Sequence, residues 1–138
     1  MNRYGNPVFD CSGARLRAQS RRLATIVSVS GEVNDGNIDR ITEHARRYVL
    51  AATSVVLDLS GVTTFDDHDL DLLRAFDADC AESGQDWVLI PSSAVSAVLA
   101  HSAEAYPIAG SVPEALSYFA DETMRRRSAV LPLLTKSA

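Results

Sequence analysis

The stretch VVLDLSGVTTFDDHDLDLL, Val55 to Leu73, runs from an apolar segment into a loop that carries Asp66, Asp67, His68, Asp69 and Asp71. Its first part, Ser54 to Ser60, is a continuous aliphatic and β-branched run, which predicts a strand covered on both faces. Beyond the loop, Leu70, Leu73, Phe76 and Cys80 recur at helical spacing, with Asp71, Arg74, Asp79 and Glu82 on the water side. Gly84 follows where a left-handed C-cap residue ends a helix. Aspartates at a helix start cap orphan amides and suit the positive end of the helix dipole, so Asp66 or Asp67 is the expected N-cap.

Outward from this unit the pattern continues. Ala14–Ser20 alternates apolar and polar residues, and Leu23–Val33 follows the basic break at Arg21 and Arg22, which predicts an antiparallel hairpin. VNDGN, Val33 to Asn37, is turn chemistry. Ile38, Ile41, Ala45, Tyr48, Val49 and Ala52 then mark one helix face, opposite Arg40, Glu43, His44, Arg46 and Arg47. Downstream, Asp86–Pro91 reads as a buried strand, and Ser92 or Ser93 caps a short helix burying Val95, Val98 and Leu99. AYPIA contains a proline and is an edge strand at most. Ser111, Pro113 and Glu114 form a capping signature for a last helix. That helix buries Val112, Leu116, Phe119 and Ala120 and is expected to end near Arg125–Arg127, whose charge suits a C-terminus.

Strands alternating with helices imply an α/β fold: a mixed central sheet of four to five strands with about four helices. The expected organisation is a flexible leader over 1–13, one domain over 14–122 and a C-terminal tail over 123–138. A chain of 138 residues fits one domain. Its formal charge of −5 disfavours direct nucleic-acid binding, which calls for a basic face. Cys11 and Cys80 have no metal spacing and are expected as free thiols in a reducing compartment. The N-terminal residues lack a signal-peptide pattern, and no apolar run approaches the roughly 18 residues of a spanning helix. A cytoplasmic protein without membrane contact is expected.

The acidic loop invites a metal reading, since DDHDLD supplies several hard oxygen donors. It lacks the glycine and terminal glutamate of a calcium loop, and His44 and His101 fall on other elements. No nucleophile elbow, phosphate loop or dinucleotide fingerprint occurs. The residues therefore point away from an enzyme and from any cofactor; a metal-dependent enzyme using the aspartates is the lesser alternative.

The hairpin, SGEV at Ser30–Val33, VVLDLSGV at Val55–Val62, FDDHDLDLL, PSSAV and the closing SVPEAL helix occur in an order that resembles the STAS domain of anti-sigma-factor antagonists, over roughly Ala14 to Asp121. In that family the strand continues into D-S-S-G before the second helix. A kinase that is also the anti-sigma factor phosphorylates the second serine, and the unphosphorylated antagonist binds that partner. By this resemblance Asp66 matches the leading aspartate, Asp67 the first serine, His68 the phosphoacceptor, Asp69 the glycine and Leu70 the anchoring leucine. Asn34 stands where an aspartate is usual. The resemblance implies a non-catalytic regulator whose partner is an anti-sigma factor or kinase-type protein, contacted through Asp66, Asp67, His68, Asp69 and Asp71. A diverged module acting as scaffold, decoy or small-ligand sensor is the alternative, and a homodimer is left open. Imidazole has no hydroxyl for a serine kinase. Phosphoserine adds about −1.5 to −2 charge, which the extra carboxylates partly imitate.

Overall fold

The computed structural model describes residues 8–51 and 54–137. Strands β1 (Val8–Asp10), β2 (Ala14–Ser20) and β3 (Thr25–Glu32) are followed by α1 (Ile38–Ala51) and β4 (Ser54–Thr64). Next come a 3₁₀ turn at Asp67–Asp69, α2 (Leu70–Ser83), β5 (Asp86–Ile90), α3 (Ser93–Leu99) and α4 (Val112–Ser137). The strands form one five-stranded sheet in sequential order. β1, β2 and β3 pair antiparallel, whereas β3, β4 and β5 are parallel. The mixed α/β architecture follows the sequence pattern.

Both faces of β5 and of the first half of β4 are covered, which is why Val55–Leu57 and Trp87–Ile90 are apolar without alternation; beyond Leu57, Asp58 and Ser60 take the positions that Val56 begins. Val55, Leu57 and Leu59 of β4 join Ile41, Ala45 and Val49 of α1 and Leu73 and Phe76 of α2 in the larger core. Val56, Val88 and Ile90 point the other way, against Ala115 and Phe119 of α4. Among the described residues β2 has only one covered face, so Ala14, Leu16 and Ala18 are buried between exposed Arg15 and Arg17.

Caps fall where the sequence put them. Gly84 takes φ 69°, and the Gln85 amide donates to the Cys80 carbonyl at 2.8 Å. Ser92 Oγ accepts from the Val95 amide at 3.2 Å, and Ser111 Oγ from the Glu114 amide at 3.2 Å. Glu114 itself reaches the Gly110 amide at 2.8 Å, one residue before the capping-box position. Gly31 has φ 97°, and a Cβ there would lie 2.5 Å from the Gly13 carbonyl oxygen; only glycine allows the two loops this close.

Four expectations change. The leader shortens, because Val8–Asp10 adds an edge strand to β2, held by Phe9 stacked on His44 at 4.4 Å between ring centroids; residues 1–7 lie outside the described residues. The last helix does not stop at Arg125–Arg127 but runs to Ser137 through the segment expected as a tail. Arginine, alanine and leucine favour helix, and basic charge suits a C-terminus without enforcing one. α2 also buries Leu72, because both α1 and the sheet contact this helix and widen its apolar stripe. Val98, Leu99, Val112, Leu116 and Ala120 are only partly buried. AYPIA makes one parallel bridge, Ile108 to Leu89.

The single tryptophan, Trp87, anchors β5 to α2. Its indole N–H donates to Asp77 at 2.9 Å, and its ring meets Phe76 edge-on at 5.3 Å and Tyr106 at 5.7 Å.

Candidate functional site

The loops that follow β3 and β4 emerge at the same end of the sheet, the C-terminal ends of adjacent parallel strands. In open α/β sheets this is where sites are usually built. The end of β4 is held by the Val33 amide, which donates to the Thr64 carbonyl at 3.1 Å. Phe65, 5% exposed, then plugs the core and turns the chain.

The five residues singled out from the sequence separate into three roles. Asp66 is extended and N-caps the 3₁₀ turn, whereas α2 itself starts from Asp69 and not from Asp66 or Asp67 as expected. The Asp66 amide donates to Asp69 Oδ2 at 2.8 Å, while the Asp69 amide donates back to the Asp66 carbonyl at 2.9 Å. Asp69 is thus a staple across the turn. Expected as an exposed contact residue, it is instead 0% exposed. Its φ of −73° is ordinary helical backbone, so no glycine conformation is demanded at this position. Asp71 is exposed but already engaged, with its Oδ1 2.6 Å from the Arg74 guanidinium. Asp66, Asp67 and His68 are the residues left exposed at the tip.

Electrostatics sharpen this division. Burial pushes the Asp69 carboxyl above its usual value, opposed by the Asp66 amide; the Asp66 and Asp35 carboxylates push further up, and His68 pulls down. Only Oδ2 is hydrogen-bonded; Oδ1 is buried without a partner. Arg74 also forks onto Glu104 at 2.8 and 2.9 Å, and Tyr106 OH donates to the same carboxylate at 2.8 Å. The Arg74 guanidinium first, then the tyrosine hydroxyl, lowers the Glu104 carboxyl. This network ties the 102–106 loop to the first turns of α2.

Asn37, which the sequence pattern did not single out, organises the neighbouring loop. It is 2% exposed, and its Nδ2 donates to the Ser12 and Glu32 carbonyls at 3.1 and 2.8 Å. Its Oδ1 accepts from the Asn34 amide at 2.9 Å. Asn34 Oδ1 in turn accepts from Gly36 at 2.9 Å, an Asx turn that an aspartate could also make. Its signal was an asparagine directly before an amphipathic helix.

His44 lies on α1 against Phe9, and His101 is exposed beyond α3. Among the described residues no group of three or more His, Cys, Asp or Glu side chains could hold a metal ion. Cys11 and Cys80 are free and buried, and burial pushes the Cys80 thiol up to about 12. Among the described residues no helix is long and apolar enough to cross a membrane. The tip therefore offers two carboxylates and an imidazole, with no hydroxyl from Asp66 through Asp69.

Comparison with known proteins fits this fold. The chain is 39% identical to Osmosensory protein A of Mycobacterium tuberculosis, over 99% of this chain and 90% of that protein. The fold matches an anti-sigma factor antagonist from Mycobacterium paratuberculosis with a TM-score of 0.64 at 19% identity, covering 77% of this chain and 93% of that one. It also matches RsbS of Moorella thermoacetica with a TM-score of 0.66 at 14% identity, covering 79% and 97%. The family model for the STAS domain matches residues 8–112, and the chain belongs to that family.

Proposed function

We infer that this chain is a non-catalytic regulatory binding protein of the anti-sigma-antagonist kind. In this reading it engages an anti-sigma factor or switch-type kinase and so controls the availability of a sigma factor. The observation that carries the reading is the tip before α2: Asp66, Asp67 and His68 are exposed where the resemblance has its phosphorylation loop. Asp69 serves as internal support and Asp71 as an ion-pair partner of Arg74. The contact is then built on fixed charge in place of reversible phosphate, and its partner carries complementary basic residues. The name of the Mycobacterium tuberculosis relative suggests osmotic stress as the input.

Fixed negative charge also suits a decoy that permanently imitates a phosphorylated loop. One titration separates the two. Asp67→Ser with His68→Ser restores both hydroxyls while keeping the Asp69 staple. Binding to a co-purified anti-sigma factor is then measured at low and high salt. A dedicated antagonist loses affinity in the double variant, most at low salt, where exposed charges are least screened. A decoy gains affinity. No change of either sign removes the tip from the interface and overturns the reading.

A further inference from the structure

Among the described residues, the face of the sheet that meets α4 is covered over only half its width. Ile26, Val56, Val88 and Ile90 lie under Ala115 and Phe119. The half nearer β1 instead carries Arg15, Arg17, Ser28, Ser30, Asp58 and Ser60 around a concavity of about 340 Å³. That volume lies within the range of small-ligand sites, about 300–1,000 Å³. The register orders these side chains: Arg17 pairs with Ser28, which pairs with Asp58, and Arg15 pairs with Ser30. At about 4.8 Å per strand, the cationic strand and Asp58 stand roughly 10 Å apart at the backbone, with serines between them.

The charges on this floor are held apart. Arg15 and Arg17 are exposed and have no ion-pair or hydrogen-bond partner among the described residues. Asp58 accepts the Ser60 amide at 3.0 Å through Oδ1, which leaves Oδ2 for another donor. Asp10 stands opposite Arg15 on β1, so the region is dipolar overall and not cationic. A pure anion meets Asp58 unfavourably, and a pure cation meets two guanidiniums. A molecule carrying both charges satisfies each end.

We propose that this trough binds a small zwitterion of the amino-carboxylate class. Its carboxylate lies on Arg15 and Arg17, whose planar forks match carboxylate geometry. Its cationic nitrogen lies on Asp58, and the serine hydroxyls lie beneath the link between them.

The test titrates the full ¹⁵N-labelled chain with glycine, β-alanine and γ-aminobutyrate, a series of growing charge separation. Acetate, methylammonium and inorganic phosphate serve as the single-charge arms. At least one zwitterion is expected to move β2–β4 amides with a Kd of about 1 mM or tighter. It should bind about tenfold more tightly than acetate or methylammonium, a difference of one decade in the equilibrium constant. Arg15→Gln with Arg17→Gln, and separately Asp58→Asn, should each weaken it about tenfold without changing the melting temperature. Asp58→Asn retains an acceptor for the Ser60 amide. Phosphate binding more tightly than every zwitterion makes the trough a plain anion site and overturns the proposal. Unmoved β2–β4 amides overturn it as well, leaving an ordinary solvated sheet face.

Discussion

The loop before α1 and the loop before α2 do the same mechanical job with different chemistry. Each follows a parallel strand, turns sharply and delivers the chain into a helix, and each hides one polar side chain. Asn37 uses both amide donors and its oxygen, three hydrogen bonds in all. Asp69 makes one side-chain hydrogen bond and leaves a buried oxygen unpartnered. A neutral, fully satisfied amide is sufficient for architecture. A half-satisfied carboxylate carries a stability cost, and such local conflicts concentrate where a protein serves something besides its fold. It lies directly beneath the exposed acidic tip. The difference separates a structural knot from a loop whose charge has been kept.

The largest expected effect sets the scale for both loops. Phe76→Ala or Leu73→Ala removes core from behind the acidic loop and should cost about 2–5 kcal/mol in urea unfolding. Losses below about 0.5 kcal/mol at both sites, typical of surface changes, contradict the assigned helix face.

Next comes Asn37→Ala, which strands the Ser12 and Glu32 carbonyls and the Asn34 amide. A loss of about 2–3 kcal/mol is expected from unsatisfied buried groups. A near-neutral result in denaturant melts removes one side of the comparison.

Asp69→Asn should act in the opposite direction at neutral pH. The carboxyl is raised above its ordinary value, chiefly by burial, so the folded protein keeps this proton to higher pH than the unfolded chain does. Its favourable contribution is therefore complete below the unfolded value and is lost as pH rises through the folded one. The asparagine variant removes a buried, half-partnered charge, so it should gain on the order of 1 kcal/mol at pH 7 and flatten the stability profile above the ordinary carboxylate range. Melting curves of both proteins across that range check the sign. A variant less stable than wild type at every pH shows that the ionised carboxylate is worth more than its burial costs.

The smallest effect on folding belongs to the tip. Asp67→Asn and His68→Ala should each stay within about 0.5 kcal/mol of wild type. Asp67→Asn should nevertheless slow partner association at low salt, measurable by stopped flow. Equal rates at both salt concentrations weaken the contrast with the silent Asn37 loop.

Much of this arrangement was legible from residue pattern alone. The apolar run Val55–Leu57 announced a doubly covered segment, which ends where Asp58 and Ser60 meet an open face, and Leu70, Leu73, Phe76 and Cys80 announced the inner face of α2. Gly84, Ser92 and Ser111 marked helix ends through chemistry local to each turn. What escaped depends on contacts between distant segments. Leu72 is buried because α1 lies alongside α2. Phe9 gains its strand by stacking on His44. Of the five candidate site residues, four lie at the turn before α2 and Asp71 in its first turn, yet no periodicity distinguishes buried Asp69 from its exposed neighbours. An aspartate in a polar loop reads the same whether it faces water or folds back onto an amide.

Trp87 gives this surface an optical readout. The only indole in the chain is 5% exposed, bonded to Asp77 of α2 and in contact with Phe76 and Tyr106. Tyr106 connects through Glu104 to Arg74, and Arg74 to Asp71 beside the acidic tip. A partner that pulls Asp71 away from Arg74 thus disturbs a chain of contacts that ends at the fluorophore. Excitation selective for tryptophan should report docking at the tip through a change in emission intensity, with no label attached. Solvent-exposed indole emission would appear only when β5 and α2 separate, so a shift in wavelength marks unfolding and a change in brightness marks engagement.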